Sequence, residues 1–423
     1  MKGNRKVSLA LILGLAAGFV SGCGAEEEET SVKNPYAATV SMESTPIVDY
    51  VVPRLLPNVL VDTVGYAQGD GKTATVRGRN LPEEFRLVEE VSGGTVYSGL
   101  IEGVTYHEES GLYSGVADFG EYDTEGTYYL ECDIIGRSYC FSIQEKMYTR
   151  LFLENYEQMM ESCQKNTLKL SEAITLLEVY EWYTSVFPDE DRDEIPDVLK
   201  ELRGWIGYME ENGGNSGEDA LYAALLAKFS YLYQKYDLEY ATECLKRAST
   251  VYGQVQNTIN KSADSFFALT ELYRATGLYT YRKQIEDYKS FLENNSSYPE
   301  ESSYLYGAMT YMATRQKVDL ELCEIFMGNL MDRAEEISKR YEEMTDPVTA
   351  KNNGSADLLQ CAVELSCANY VMNNYQYTKI TEEFLHYLTG QNSDSVNFYA
   401  ADEDRTGYIL LLAQLAANHE EKE

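Results

Sequence analysis

From Met147 onward the apolar residues recur at the helical period and keep doing so almost to the end of the chain. Residues 262–291 show the unit that repeats. Ser262 stands at an N-cap position, and Asp264 follows in the first turn, next to the positive end of the helix. Phe266, Leu269 and Tyr273 then fall on one helical face. Gly277 ends the segment, because a glycine there takes a left-handed backbone without a Cβ clash. A second helix follows at once, with Tyr281, Ile285, Tyr288 and Leu292 on its buried face. Neither helix can bury its stripe alone, so the hairpin needs neighbours.

Twelve such segments are expected, near 147–163, 168–187, 194–211, 218–236, 238–256, 263–276, 279–293, 303–315, 318–343, 355–374, 376–389 and 403–417. Pairs begin at roughly 40-residue intervals, but the interval drifts more than a strict solenoid allows. Six hairpins closing into an all-α (α/α)6 toroid leave no end hairpin uncovered. Some even-numbered segments are more apolar (Ala220–Phe229, Ile409–Ala417), as an inner ring requires.

Before Met147 the pattern is of strands. Val59–Val64, Ala74–Arg77, Phe85–Val88, Thr95–Tyr97, Gly115–Phe119, Thr127–Cys132 and Ser138–Ile143 are β-rich runs, most of them separated by Gly-rich or acidic turns. Seven short strands within residues 55–146 predict an Ig-like β-sandwich. Cys132 and Cys140 flank Gly136 symmetrically, so they could face each other across a hairpin as a disulfide or stand as two unpaired thiols. Cys163, Cys244, Cys323, Cys361 and Cys367 lie in helical patterns and read as small buried hydrophobes.

Residues 1–23 read as an address. Lys2, Arg5 and Lys6 precede a short apolar run, Val7–Val20, and Val20-Ser21-Gly22-Cys23 has the form of a lipobox. The run is short for a membrane span, and a processing site lies on its far side. Cleavage would leave Cys23 lipidated and the protein anchored to the outer face of a bacterial membrane; the alternative is a plain signal peptide with a chance cysteine. Residues 24–54 follow as an acidic linker that repels itself and extends. The net charge of −34 excludes nucleic-acid partners and reads most simply as an acidic, soluble surface. There is no CxxC, and the three histidines (His107, His386, His419) are scattered, so no metal, cofactor, Cys/His or Ser/His device is expected.

Several stretches carry a likeness to a known family. Val59–Asp62 with Val64-Gly65-Tyr66, then Lys72, Phe85–Val88, Asp118-Phe119 and Gly126–Leu130 resemble the N-terminal Ig-like domain of family 9 glycoside hydrolases, the cellulases. Glu194–Leu199 is similar to that family's G-I-P-D-L-L helix start. Glu271–Gly277 and Leu385–Asn392 resemble its E-L-Y-x-A-T-G and Y-L-L-G-R-N segments. The matches run in the family's order over about residues 55–417.

The resemblance implies an inverting glucanase, which needs a general acid and a general base about 6.5–9.5 Å apart. Family members carry the base in a G-G-W-H-D-A-G-D loop between the first two barrel helices. Here Cys163–Lys169 (CQKNTLK) holds that place without a carboxylate. The family's P-H-H-R motif is also missing, since Ser393–Ala401 contains neither His nor Arg. Asp402 and Glu403 fall near the position of the family's acid and are weak catalytic candidates; the plain alternative is the acidic start of a helix. The 36 tyrosines suit sugar rings, yet most sit at helical spacing, and on the family's active face only Tyr298, Phe398 and Tyr399 are loop aromatics that could touch carbohydrate.

Three readings follow. The first is a surface lipoprotein with a family 9 fold that has lost catalysis and serves as an accessory in extracellular polysaccharide handling, whether binding, breakdown or exopolysaccharide production. The second is a divergent active glycoside hydrolase on β-glucans, using carboxylates on other loops. The third is a protein–protein docking module built on the toroid.

Overall fold

The computed structural model describes residues 56–189, 192–212, 217–256, 262–290, 302–350, 354–401 and 405–420. Cys23 and the expected leader and acidic linker lie outside these residues, as do Leu292, Tyr298, Asp402 and Glu403. Among the described residues no helix is long and apolar enough to cross a membrane.

The strand region forms β1 (Val59–Leu60), β2 (Tyr66–Ala67), β3 (Thr73–Gly78), β4 (Glu84–Glu89), β5 (Thr95–His107), β6 (Leu112–Asp118), β7 (Gly126–Cys132), β8 (Gly136–Arg137) and β9 (Phe141–Gln144). One layer pairs β1–β3–β6–β5 and the other β5–β4–β7–β9–β2, so β5 belongs to both. Its first half pairs with β4 and its second with β6, and the register shifts between Glu102 and Thr105. Such a bulge bends a strand and lets it change layers. The sequence reading stops this strand at Tyr97. Residues 98–107 are exposed at most positions, so they lack the in–out alternation that marks a strand. Between the layers Tyr66 meets Phe119 and Phe141 edge-on, each at 5.2 Å between ring centroids.

The helical region forms α1 (Met147–Gln164), α2 (Leu170–Trp182), α3 (Asp197–Asn212), α4 (Asp219–Tyr233), α5 (Leu238–Val255), α6 (Ala263–Thr276), α7 (Tyr279–Glu286), α8 (Ser302–Ala313), α9 (Leu320–Thr345), α10 (Ser355–Val371), α11 (Tyr375–Leu388) and α12 (Thr406–Glu420). A 3₁₀ turn, Thr184–Val186, follows α2 where the sequence suggested more helix, and a single helical turn spans Phe398–Ala401. The even helices form the inner ring: α2 packs on α4, α4 on α6, α6 on α8, α10 on α12, and α12 back on α2. They are buried on almost every side (Ala220 to Phe229, Ile409 to Ala416), whereas odd helices such as α5 bury only one stripe. The hairpin of α6 and α7 behaves as its residues require. The Ser262 side chain accepts from the Ser265 N–H at 3.2 Å, and Gly277 ends α6 at φ +67°.

The sandwich and the barrel belong to one compact unit, Leu55–Glu423, and Asp62 joins them. Its carboxylate is fully buried. Oδ1 accepts the N–H groups of Val64 and Gly65 at 2.7 and 3.1 Å. Oδ2 accepts the Thr389 hydroxyl at 2.6 Å and lies 2.8 Å from His386 Nδ1, at the end of α11. Thr63 donates its N–H to the Thr389 carbonyl, and Gly390, at φ +140°, passes so close to Thr63 that a Cβ there would lie 2.7 Å from the threonine methyl. Burial alone would pull the His386 imidazole down. The hydrogen bond and charge of Asp62, with Glu383 and Glu382 behind it, instead hold it above its ordinary value. Asp62→Ala should therefore cost about 3–5 kcal/mol in denaturant unfolding, because it strands a buried cation-forming ring and two N–H groups. Because the folded form holds that proton more tightly, the His386 contribution is present below its ordinary value of 6.5 and lost as pH rises through the raised one. Thermal unfolding against pH should show this loss in the wild type and not in the variant.

Candidate functional site

The connection between α1 and α2 is a closed turn of five residues, 165–169. Asn166 adopts φ +57°, and the N–H groups of Thr167 and Leu168 both return to the Ser162 carbonyl at 2.9 and 3.1 Å. Leu168 tucks into the core. The nearby Glu172 is occupied too: it accepts the Lys169 N–H at 2.8 Å at the start of α2. No side chain of the turn carries a carboxyl group.

Beside this turn the N-terminal ends of α2, α8, α10 and α12 enclose a cavity of about 310 Å³. Ser171, Thr175, Ser302, Ser303, Tyr306, Gln360 and Thr406 supply its polar side chains, and mostly aliphatic groups supply the rest. Its described lining contains no acid, histidine, lysine or arginine. Ser303 donates to Asp264 of α6 at 2.7 Å. The lining can bury apolar surface and exchange hydrogen bonds with hydroxyls, but its described groups cannot move a proton near neutral pH.

Of the aromatics expected to touch carbohydrate, Phe398 and Tyr399 are within the described residues. Tyr399 is core: its hydroxyl donates to the Leu151 carbonyl at 3.4 Å, and its ring meets Tyr408 edge-on at 5.1 Å. Phe398 packs partly buried against the same cluster. Single-turn helices bury one side, and here that side is the aromatic one. Cys132 and Cys140 are both free. Cys132 points into the sandwich, whereas Cys140 is exposed and donates to Glu90 at 3.5 Å. Gly136 pairs with Cys132 itself in the β7–β8 ladder, so the symmetric spacing around Gly136 does not bring the two thiols together.

Deeper in the barrel lies a constellation that the sequence reading passes over. Lys228 of α4 has no solvent contact. Its ammonium lies 3.0 Å from Glu178, 2.6 Å from Glu181 and 3.5 Å from Glu271. Tyr231 donates to Glu271 at 2.9 Å, Thr310 of α8 donates to Glu271 at 2.7 Å, and Arg274 of α6 pairs with Glu181. Three carboxyls face two cations. Burial is the largest influence on Glu178; Lys228 opposes it, Glu271 and Glu181 add to it, and the carboxyl is pushed up to about 8. Burial therefore favours the protonated form of Glu178 at neutral pH. Desolvation also acts on Glu181, but Lys228 and Arg274 outweigh it and hold that group below the usual range. The signal was present in the sequence: Lys228 and Glu271 interrupt otherwise apolar inner helices.

Residues 56–137 match the family model for the cellulase N-terminal Ig-like domain. No curated protein matches the chain by sequence. Solved structures match over most of the chain. A metagenome-derived family 9 endoglucanase aligns with a TM-score of 0.67 at 16% identity, over 80% of this chain and 84% of its own. A family 9 glycoside hydrolase of Bacteroides ovatus aligns at 0.66 and 13% identity, over 86% and 99%. A thermostable endoglucanase of Alicyclobacillus acidocaldarius aligns at 0.63 and 14% identity, over 81% and 83%. The chain has the family 9 fold, an (α/α)6 barrel behind a cellulase-type Ig-like domain.

Lys228→Met should cost about 3–5 kcal/mol in denaturant unfolding, since it leaves buried carboxylates unpaired. Because folded Glu178 binds its proton more tightly than the unfolded chain, its contribution weakens as pH rises from about 4.5 to about 8. Glu178→Gln should flatten that part of the profile of melting temperature against pH.

Proposed function

We propose that this protein is an exported lipoprotein, anchored through Cys23, that uses a family 9 barrel without catalysis to assist in handling an extracellular polysaccharide. One observation carries the reading: where the family's base loop belongs, the chain has a closed five-residue turn with a buried leucine and no carboxyl group. General acid–base catalysis supplies about 10²–10⁴-fold, and an acid without a base cannot activate the attacking water. Among the described residues the lining of the cavity at the same end holds no carboxylate, which supports it. Retention of both domains, and of the buried joint between them, argues that the scaffold is still in use.

A second reading keeps activity, and the position of Asp402 and Glu403 just before α12 favours it. The two separate cleanly. Reducing-sugar release from β-glucans and other polymers should stay at the blank; turnover that Asp402→Ala or Glu403→Gln abolishes would establish the second reading instead. For the anchor, a metabolically supplied fatty acid should label the wild type and not Cys23→Ala, which should leave the membrane fraction.

A further inference from the structure

The two ends of the barrel differ in what they expose. Among the described residues that line the cavity, Tyr306 is the one aromatic, and its ring is buried. At the other end, where the inner helices finish, Tyr370, Tyr375 and Tyr279 are 42%, 65% and 67% exposed. Tyr370, near the end of α10, is not a loose side chain. Trp182, the last residue of α2, stacks against it at 5.0 Å with 20° between the rings, and Tyr183 meets it edge-on at 5.8 Å. The ring is therefore braced on one side and open on the other.

The buried ion network reaches solvent at this same end. Glu178, Lys228 and Glu271 are sealed, while Glu181 and Arg274 keep 14% and 20% of their side-chain surface. Both belong to the last turn of their helices, and Arg274 lies over the Tyr231 ring at 4.7 Å. Glu181 directly precedes Trp182, whose ring stacks on Tyr370, and Arg274 pairs with Glu181, so the pair and the platform are neighbours. An aromatic face takes the C–H face of a pyranose. In a carboxylate–guanidinium pair, the carboxylate accepts from one ring hydroxyl and the guanidinium donates to the next. Both are held in place before any ligand arrives, which lowers the ordering cost of binding. The net charge of −34 disfavours polyanionic sugars.

We propose that the end of the barrel opposite the cavity binds a neutral pyranose chain, with Tyr370, braced by Trp182, as stacking platform and the Glu181–Arg274 pair as hydroxyl clamp. This rests on the reading that the chain handles a polysaccharide, and it names the face that does so.

The test titrates the full exported chain with cellohexaose, laminarihexaose and xylohexaose, read by calorimetry and by tryptophan fluorescence. Trp205 is buried in α3, so a fluorescence change reports Trp182. At least one hexasaccharide should bind. Tyr370→Ala should weaken it about tenfold or more, while Tyr370→Phe, which keeps the ring, should retain it. Unchanged melting of both variants would show that the exposed site, not folding, was altered. The proposal falls if no hexasaccharide binds, if Tyr370→Ala binds like wild type, or if Gln360→Ala at the cavity end abolishes binding. Sugar release is measured separately, so turnover would overturn the non-catalytic reading without touching this one.

Discussion

An ammonium group with no access to water holds four of the six inner helices to one another. Lys228 comes from α4, its carboxyl partners from α2 and α6, and Thr310 of α8 closes the network. Removing such a charge from water is expensive, and only several well-placed partners offset the cost. A closed barrel supplies them, because its inner helices converge on a common axis. In return the polar contacts fix how the helices meet. Apolar inner faces such as Ala220–Leu226 could slide past each other at small cost, but a lysine that must meet three carboxyls has few acceptable positions.

The same network divides the barrel interior into two ends. Thr175 and Tyr306, whose hydroxyls lie 3.4 Å apart, stand between the cavity and the ions. On one side is a chamber lined with hydroxyls and aliphatic groups. On the other are the outermost members of the ion network and a braced aromatic pair. The α1–α2 turn, which carries no carboxyl group, lies at the first end. At the second end Tyr370, Tyr375 and Tyr279 present exposed aromatic rings.

Much of the fold was legible because helical periodicity is a strong signal over long segments. Ser262, Gly277 and the stripe between them specify α6 without reference to anything distant. The β-region was legible only where strands bury one face. Its longest strand, β5, is exposed at most positions of Ser98–His107 and left no clear alternation to read. The two-residue β2 is set by its parallel pairing with β9 rather than by local preference. At the site, the lack of a carboxyl group in residues 163–169 is visible in a string of letters. The buried network could not be assembled that way. Glu178, Lys228 and Glu271 each look like a blemish on an apolar helix until closure of the ring sets them within reach. Tyr399 errs in the opposite sense: loop placement suggested exposure, and packing against Tyr408 removed it.

The joint at Asp62 also has a mechanical side. A tug on the chain ahead of Asn58 enters the fold through Val59 and Leu60, which pair with Val76 and Thr75, and then meets Asp62 two residues later. Beyond that short ladder, the load passes to a carboxylate bonded to both the Val64–Gly65 backbone and the end of α11. Tension is thereby delivered to sandwich and barrel together, so a tether at this end would drag both bodies as one and leave neither to swing on the other.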